Sequence, residues 1–135
     1  MEKENIKNLH LKMCCCKEVI SDKITIMLRK VENIDTNIPD LKFRLKMVVR
    51  EMLANAIEHG CEDRNQNIDI ILKASVSEVE IMVKDPGQGF DYKQVDLTTM
   101  LLMSEKGRGL GMINQAADEI EFNEDGNQIT AYFRN

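Results

Sequence analysis

The sequence predicts an α+β protein, a two-layer sandwich in which helices cover one face of a mostly antiparallel, mixed sheet. Three observations predict it. Apolar residues recur at helical spacing in two segments of the N-terminal half, and they alternate at strand spacing in two later pairs of short segments. The resulting order is helix, helix, strand, strand, aperiodic segment, helix, hairpin, in which the helices' apolar faces are best buried against one side of a sheet.

Leu9, Leu11 and Met13 alternate with His10 and Lys12, the period of a short first strand whose end is blurred by Cys14 to Cys16. From about Lys17 to Val31, the residues Val19, Ile20, Ile24, Met27, Leu28 and Val31 fall on one side of a helix. After a connector, Pro39 and Asp40 mark the start of a second helix, with a carboxylate able to cap its first N–H groups. Its apolar face runs through Leu41, Leu45, Val48, Met52 and Ala56 and stops at Gly60, read here as a C-terminal cap. Ile68 to Ala74 and Val79 to Val83 read as an antiparallel pair of strands. Phe90 to Lys106 has neither period and is expected to be a lid over about 90–106, with a short helix around Leu97 to Met103. Its methionines, Met100 and Met103, are more often core than a partner-binding patch. Gly111 to Asp118 is helical in pattern, and Ile120 to Phe122 pairs with Ile129 to Phe133 through the turn residues Glu124-Asp125-Gly126-Asn127.

A chain of 135 residues, 43% hydrophobic, has room for one moderate core, so residues 1–135 are expected to form a single domain. No apolar run is long enough to span a bilayer and the first residues are polar, so a cytoplasmic location without membrane attachment is expected. The net charge is -5 with no basic stripe, which argues against binding a nucleic-acid backbone directly. Cys14, Cys15 and Cys16 are contiguous, Cys61 is distant and no C-x-x-C spacing occurs, so reduced thiols without a metal or redox role are expected.

Three segments carry chemistry. Glu51 and Asn55 lie four apart, about 40° around a helix, at the border of its apolar face, where an unpartnered carboxylate or amide is costly and a ligand can satisfy it. An isolated E-x-x-x-N is more often the solvated edge of an amphipathic helix. Asp85-Pro86-Gly87-Gln88-Gly89 follows a strand that Pro86 cannot continue, and Asp85 closes that strand where a carboxylate can accept from an exocyclic amine such as that of adenine. Alone, this segment is a turn. Gly107-Arg108-Gly109-Leu110-Gly111 stands just before a predicted helix, where glycine N–H groups and the helix terminus favour an anion and Arg108 can reach a terminal phosphate. It lacks the G-K-[ST] of a Walker A loop and the strand and acidic partner of a dinucleotide fingerprint.

In this order and at these separations, the three segments resemble the N box and the two glycine boxes of the superfamily of gyrase, the ninety-kilodalton heat-shock chaperone, histidine kinases and mismatch-repair ATPases. The likeness runs from about Pro39 to Asn135 and implies a Bergerat ATP-binding fold. Within it, the short chain is most similar to bacterial anti-sigma regulatory factors that are serine/threonine protein kinases. That resemblance implies ATP and Mg²⁺ as cofactors, with Glu51 as general base, Asn55 as metal ligand and Asp85 reading adenine. It further implies that Gly87, Gly89, Gly107, Arg108, Gly109, Leu110 and Gly111 line the nucleotide, and that a sigma factor and an anti-sigma antagonist are partners of a homodimer. His59 ends the helix where members often carry histidine or tyrosine and is given no catalytic role, while Pro86 stands where many members have asparagine. A kinase-inactive, ATP-dependent regulator is the alternative. A detached histidine kinase catalytic domain is a third reading, but the segment before Pro39 offers one helix and His10 falls outside it.

Overall fold

The computed structural model describes residues 7–89 and 105–135, with the backbone alone at 105–110. Strand β1 (Lys7–Cys14) leads through a single 3₁₀ turn into helix α1 (Ile20–Glu32). Helix α2 (Leu41–Asn55) is followed by β2 (Asn67–Ala74), β3 (Glu78–Lys84), α3 (Glu105–Ala116), β4 (Glu119–Phe122) and β5 (Gln128–Arg134). The strands form one five-stranded sheet in the order β1-β2-β3-β5-β4. Every pairing among the described residues is antiparallel, so the α+β sandwich with its mostly antiparallel sheet is found, with no parallel pair among these residues.

Alternation along the strands decides which face the helices cover. Ile68, Ile70, Leu72 and Ala74 of β2, Val79, Ile81 and Val83 of β3, and Ala131 and Phe133 of β5 are buried against Leu45, Val48, Val49, Met52 and Leu53 of α2. Each valine, leucine, isoleucine, phenylalanine or methionine among these contributes about 1.5–3 kcal/mol when fully buried. α1 lies on α2 and β1, and α3 lies on α2. The opposite face of the sheet carries Lys73, Glu78, Glu80, Glu121 and Arg134.

Arg44 joins the layers at one end. Its Nε donates to Ala116 O at 2.7 Å, one terminal nitrogen donates to Pro39 O at 3.0 Å and the other to Asp118 Oδ2 at 3.2 Å. The guanidinium also lies 5.3 Å from the centre of the Phe133 ring. Asp118 accepts in addition from the Arg134 N–H at 2.6 Å, and this backbone bond, with Arg44 adding to it, holds its carboxyl below the ordinary range.

Four local expectations are corrected. Asp40 precedes α2 in a left-handed conformation (φ 50°) and its carboxylate makes no capping bond; its carbonyl accepts from Arg44 N–H instead. Gly60 is not a left-handed cap, because α2 runs on as a π-helical turn over Ala56–Gly60 before Cys61 turns extended. α3 begins at Glu105 rather than Gly111, so the second glycine box lies within the helix; packing on α2 outweighs glycine's helix penalty of about 1 kcal/mol per residue. The cysteines are not free thiols: Cys14 pairs with Cys16, and Cys15 with Cys61. The last pairing is invisible along the chain because β1 pairing with β2 returns residue 14 to the level of Asn67, beside the connection that follows α2.

The lid expected over about 90–106, with its short helix at 97–103, falls outside the described residues except for Glu105 and Lys106, which are helical.

Candidate functional site

A cleft opens between the end of α2 and the sheet, lined by Met52, Asn55, Ala56 and His59 from the helical layer and by Val83, Asp85 and Gly89 from β3 and the turn after it. Phe122, Gly126, Asn127, Gln128 and Ile129 of the β4–β5 hairpin close the third side. Its enclosed part measures about 80 Å³, so a ligand larger than a few waters or part of a ring must extend beyond it.

The sequence accounts for each wall. Met52, Asn55, Ala56 and His59 recur at three- and four-residue steps and therefore share one side of the helical segment. Asp85 is where β3 ends: its N–H still donates to Asn127 O at 2.9 Å, but Pro86 has no N–H to extend the ladder. The chain then folds back through an Asx turn, with Gly87 N–H donating to Asp85 Oδ1 at 2.8 Å. Gly89 takes φ +81°, and a Cβ there would run into the carbonyl of Asp125 and stand 2.8 Å from Asn127 N. Glycine is required at that position on both counts.

Two residues that sequence reasoning passed over hold this turn. Asn127 Nδ2 donates to Gly87 O at 3.1 Å, and Asn123 Oδ1 accepts from the N–H groups of Asn127 and Gln128 at 3.0 and 3.1 Å. Along the chain Asn127 reads only as part of the hairpin turn and Asn123 carries no signal, since nothing in the sequence shows that the hairpin tip meets the first glycine box.

The polar environment of the cleft points to a ligand. The Asn55 side-chain nitrogen is buried and has no hydrogen-bond partner. A buried amide left unpaired costs about 1–3 kcal/mol, which a bound acceptor such as a phosphate oxygen removes while the amide oxygen remains available to a hard cation. No group of three or more His, Cys, Asp or Glu side chains able to hold a metal occurs among the described residues. The chain's residues therefore fit a cation held largely by its ligand's phosphates and by water, with a single amide oxygen from the protein.

The predicted site residues separate into three places. Asn55, Asp85 and Gly89 share the cleft, and Gly87 is packed at its edge between Asp85 and the backbone of Gly60. Glu51, one turn before Asn55, lines a neighbouring groove with Phe43, Lys46, Met47, Arg50 and Met112. Gly107, Arg108, Gly109, Leu110 and Gly111 form the first two turns of α3, which packs on α2.

A sandwich of this topology, with a cleft lined by a buried, unpartnered asparagine amide and an aspartate, fits a nucleotide-binding domain of the ATPase type. The chain belongs to the histidine kinase-like ATPase domain family, whose model matches residues 23–133. It is 34% identical over 85 residues to the serine-protein kinase RsbW of Bacillus subtilis (strain 168), a match covering 56% of this chain and 53% of that protein. It is 33% identical over 87 residues to the serine-protein kinase RsbW of Bacillus velezensis (strain DSM 23117 / BGSC 10A6 / LMG 26770 / FZB42), covering 57% and 54%. The chain thus spans about half the length of the curated relatives it matches. No helix among the described residues is long and apolar enough to cross a membrane.

Proposed function

We propose that this chain is an ATP-binding anti-sigma regulatory factor that acts as a protein serine/threonine kinase, phosphorylating an anti-sigma antagonist and binding a sigma factor. The observation that carries the nucleotide part is the buried, partnerless Asn55 amide facing the cleft that Asp85 lines. The kinase and partner parts rest on the likeness to serine-protein kinases of the RsbW type. In this reading Asp85 accepts from the adenine amine and Asn55 contributes an oxygen to Mg²⁺. Gly87 and Gly89 shape the turn beside the base. The first turns of α3, which carry Gly107, Gly109, Leu110 and Gly111, lie toward the phosphates, with Arg108 near the terminal one. Mg²⁺ supplies charge neutralisation on the phosphates when bound. Glu51, within one helical turn of Asn55, accepts the proton of the attacking serine hydroxyl.

The test is transfer of labelled γ-phosphate from ATP to a candidate antagonist encoded beside this chain. A correctly placed base contributes about 10²–10⁴-fold, so Glu51→Gln should bind ATP normally and transfer phosphate slower by that factor. A second reading, an ATP-dependent regulator without kinase activity, is favoured by the position of Glu51 in the adjoining groove rather than in the cleft. ATP binding and partner binding without any phosphate transfer would establish it instead.

A further inference from the structure

The nucleotide reading leaves unused a cluster of sulfur side chains just past the end of the same helical segment. Cys15 and Cys61 are bridged across 46 positions of sequence, joining the end of β1 to the residue directly after the π-helical turn. The turn's last residue, Gly60, is packed against the cleft: its carbonyl oxygen and Cα lie beside Gly87, and Asp85 occupies the space a side chain would need. Apart from the bridge, three other contacts among the described residues tie the connection after Gly60 to β1 and the turn before α1, one of them a weak contact of Cys16 Sγ to Arg64 O at 3.8 Å. The other two are the Cys15 N–H donating to Gln66 O at 3.0 Å and an ion pair between Glu18 and Arg64, both exposed. Exposed ion pairs hold little. Cys15 is buried whereas Cys61 is only partly buried, so the Cys61 side is the more accessible side of the bridge.

We propose that the Cys15–Cys61 bridge is a reversible thiol-oxidation site that sets how firmly the floor of the cleft is held, and thereby the protein's affinity for ATP; the second half of this rests on the nucleotide reading above. Bridged, the chain after Gly60 is anchored to β1 and Gly60 stays under Asp85. Reduced, the π-helical turn is released and Asp85 loses its backing. In the reductive direction, the thiolate of a low-molecular-weight thiol attacks Cys61 Sγ, forming a mixed disulfide and expelling the Cys15 thiolate, which takes up a proton. A second thiolate attacks the small molecule's sulfur in that mixed disulfide and releases Cys61. Two small thiols thus give two electrons and two protons to the bridge and leave as one small disulfide. The reverse exchange, with a low-molecular-weight disulfide as oxidant, restores it.

Coupling between linked sites is commonly about fivefold or more, so the reduced protein should bind ATP at least about fivefold more weakly than the bridged one. Reciprocity then requires saturating ATP to make the bridge harder to reduce by the same factor. The experiment equilibrates the full chain in glutathione buffers of graded poise, maps the bridges by alkylation and peptide mass, and titrates each form with Mg²⁺ and ATP calorimetrically. A Cys15–Cys61 peptide under oxidising conditions, weaker ATP binding after reduction and a Cys61→Ser variant with the reduced form's affinity in every buffer support the proposal. The double variant Cys14→Ser, Cys16→Ser should keep the full redox response. Four alkylated thiols in every buffer, equal affinities of the two forms, or a redox response surviving in Cys61→Ser each overturn it. If neither form binds ATP, the nucleotide reading fails by itself, and hydrogen exchange decides the tie: residues 56–61 and 85–89 must exchange faster after reduction, and unchanged exchange overturns it.

Discussion

Gly60 and Asp85, 25 positions apart in the chain, are packed so closely that a Cβ on Gly60 would overlap the Asp85 carboxyl group. The end of the helix and the end of β3 thus fit together only because residue 60 has no side chain. Gly60→Ala is expected to push the carboxylate aside, lowering stability by about 1–3 kcal/mol as overpacking does. It should also weaken ATP binding roughly tenfold or more through loss of a buried hydrogen bond worth about 1–3 kcal/mol. Calorimetric titration and urea unfolding of the variant separate the two effects; unchanged affinity in a folded variant would show that Asp85 does not read the base.

Asn55 supplies a complementary test, because its amide nitrogen is buried without a partner. Asn55→Leu removes that unsatisfied group while roughly keeping its volume. Without nucleotide the variant should be as stable as wild type or more stable, since replacing an unpaired buried polar group by an apolar one is neutral or favourable. Its Mg²⁺-dependent ATP binding should be lost. A clear loss of stability would mean that the amide is structural.

Gly89 takes φ +81° against the β4–β5 hairpin. Gly89→Ala should lower stability by about 1–3 kcal/mol for the backbone conformation alone, with a further loss from the clash at Asp125. Thermal and urea unfolding should agree on this, and Gly126→Ala, at φ +75° in the hairpin tip itself, should show the backbone penalty also.

Arg44 donates to Ala116 O, Pro39 O and Asp118 from a side chain only 20% exposed. Arg44→Met keeps much of the stem and leaves the acceptors unpaired, so a loss of about 1–3 kcal/mol is expected in urea unfolding. α3 should become more open to hydrogen exchange than the β2–β3 hairpin, because the lost bond to Ala116 anchors the helix end.

Asp118 gives the pH dependence. Its carboxyl is held below the ordinary value of 3.8, first by the Arg134 N–H and then by Arg44, so the charged form contributes stability at neutral pH. That contribution is complete above the unfolded value, begins to be lost as pH falls through about 3.8, and is gone below the depressed folded value. Asp118→Asn should therefore be less stable than wild type at pH 7, with the difference shrinking as pH drops below about 4. A gap that stays constant over that range would exclude the charge as its source.

How much of this was legible along the chain depended on how local each cause is. The helical period of α2, the β2–β3 pair and the Asp-Gly-containing hairpin were readable because apolar spacing and turn residues act over a few positions. The three boxes were legible as types and order. Their assembly was not. Gly60 reads as a helix cap until the contact with Asp85 is seen, and Asn127 reads as a turn residue until it is found holding Gly87. The capping role expected of Asp40 failed: it takes a left-handed backbone rather than the extended one a side-chain cap uses, and makes no capping bond. Cys15 and Cys61 meet through the register of β1 on β2, a relation that no spacing within either segment encodes.

The strand order β1-β2-β3-β5-β4 places the last strand in the interior of the sheet, hydrogen-bonded to β3 along Glu78 to Lys84 and to β4 along Glu119 to Phe122. During synthesis, everything up to α3 emerges while β3 still has one edge bare, and β4 has no neighbour until Gln128 to Arg134 follow. The sheet is finished by insertion rather than by extension. A nascent chain stalled before β5 presents an open, apolar-sided edge at Val79, Ile81 and Val83, the kind of template onto which another chain can pair. The seven-residue strand β5 is therefore the keystone of this sheet, since without it β3 keeps a bare edge and β4 has no partner.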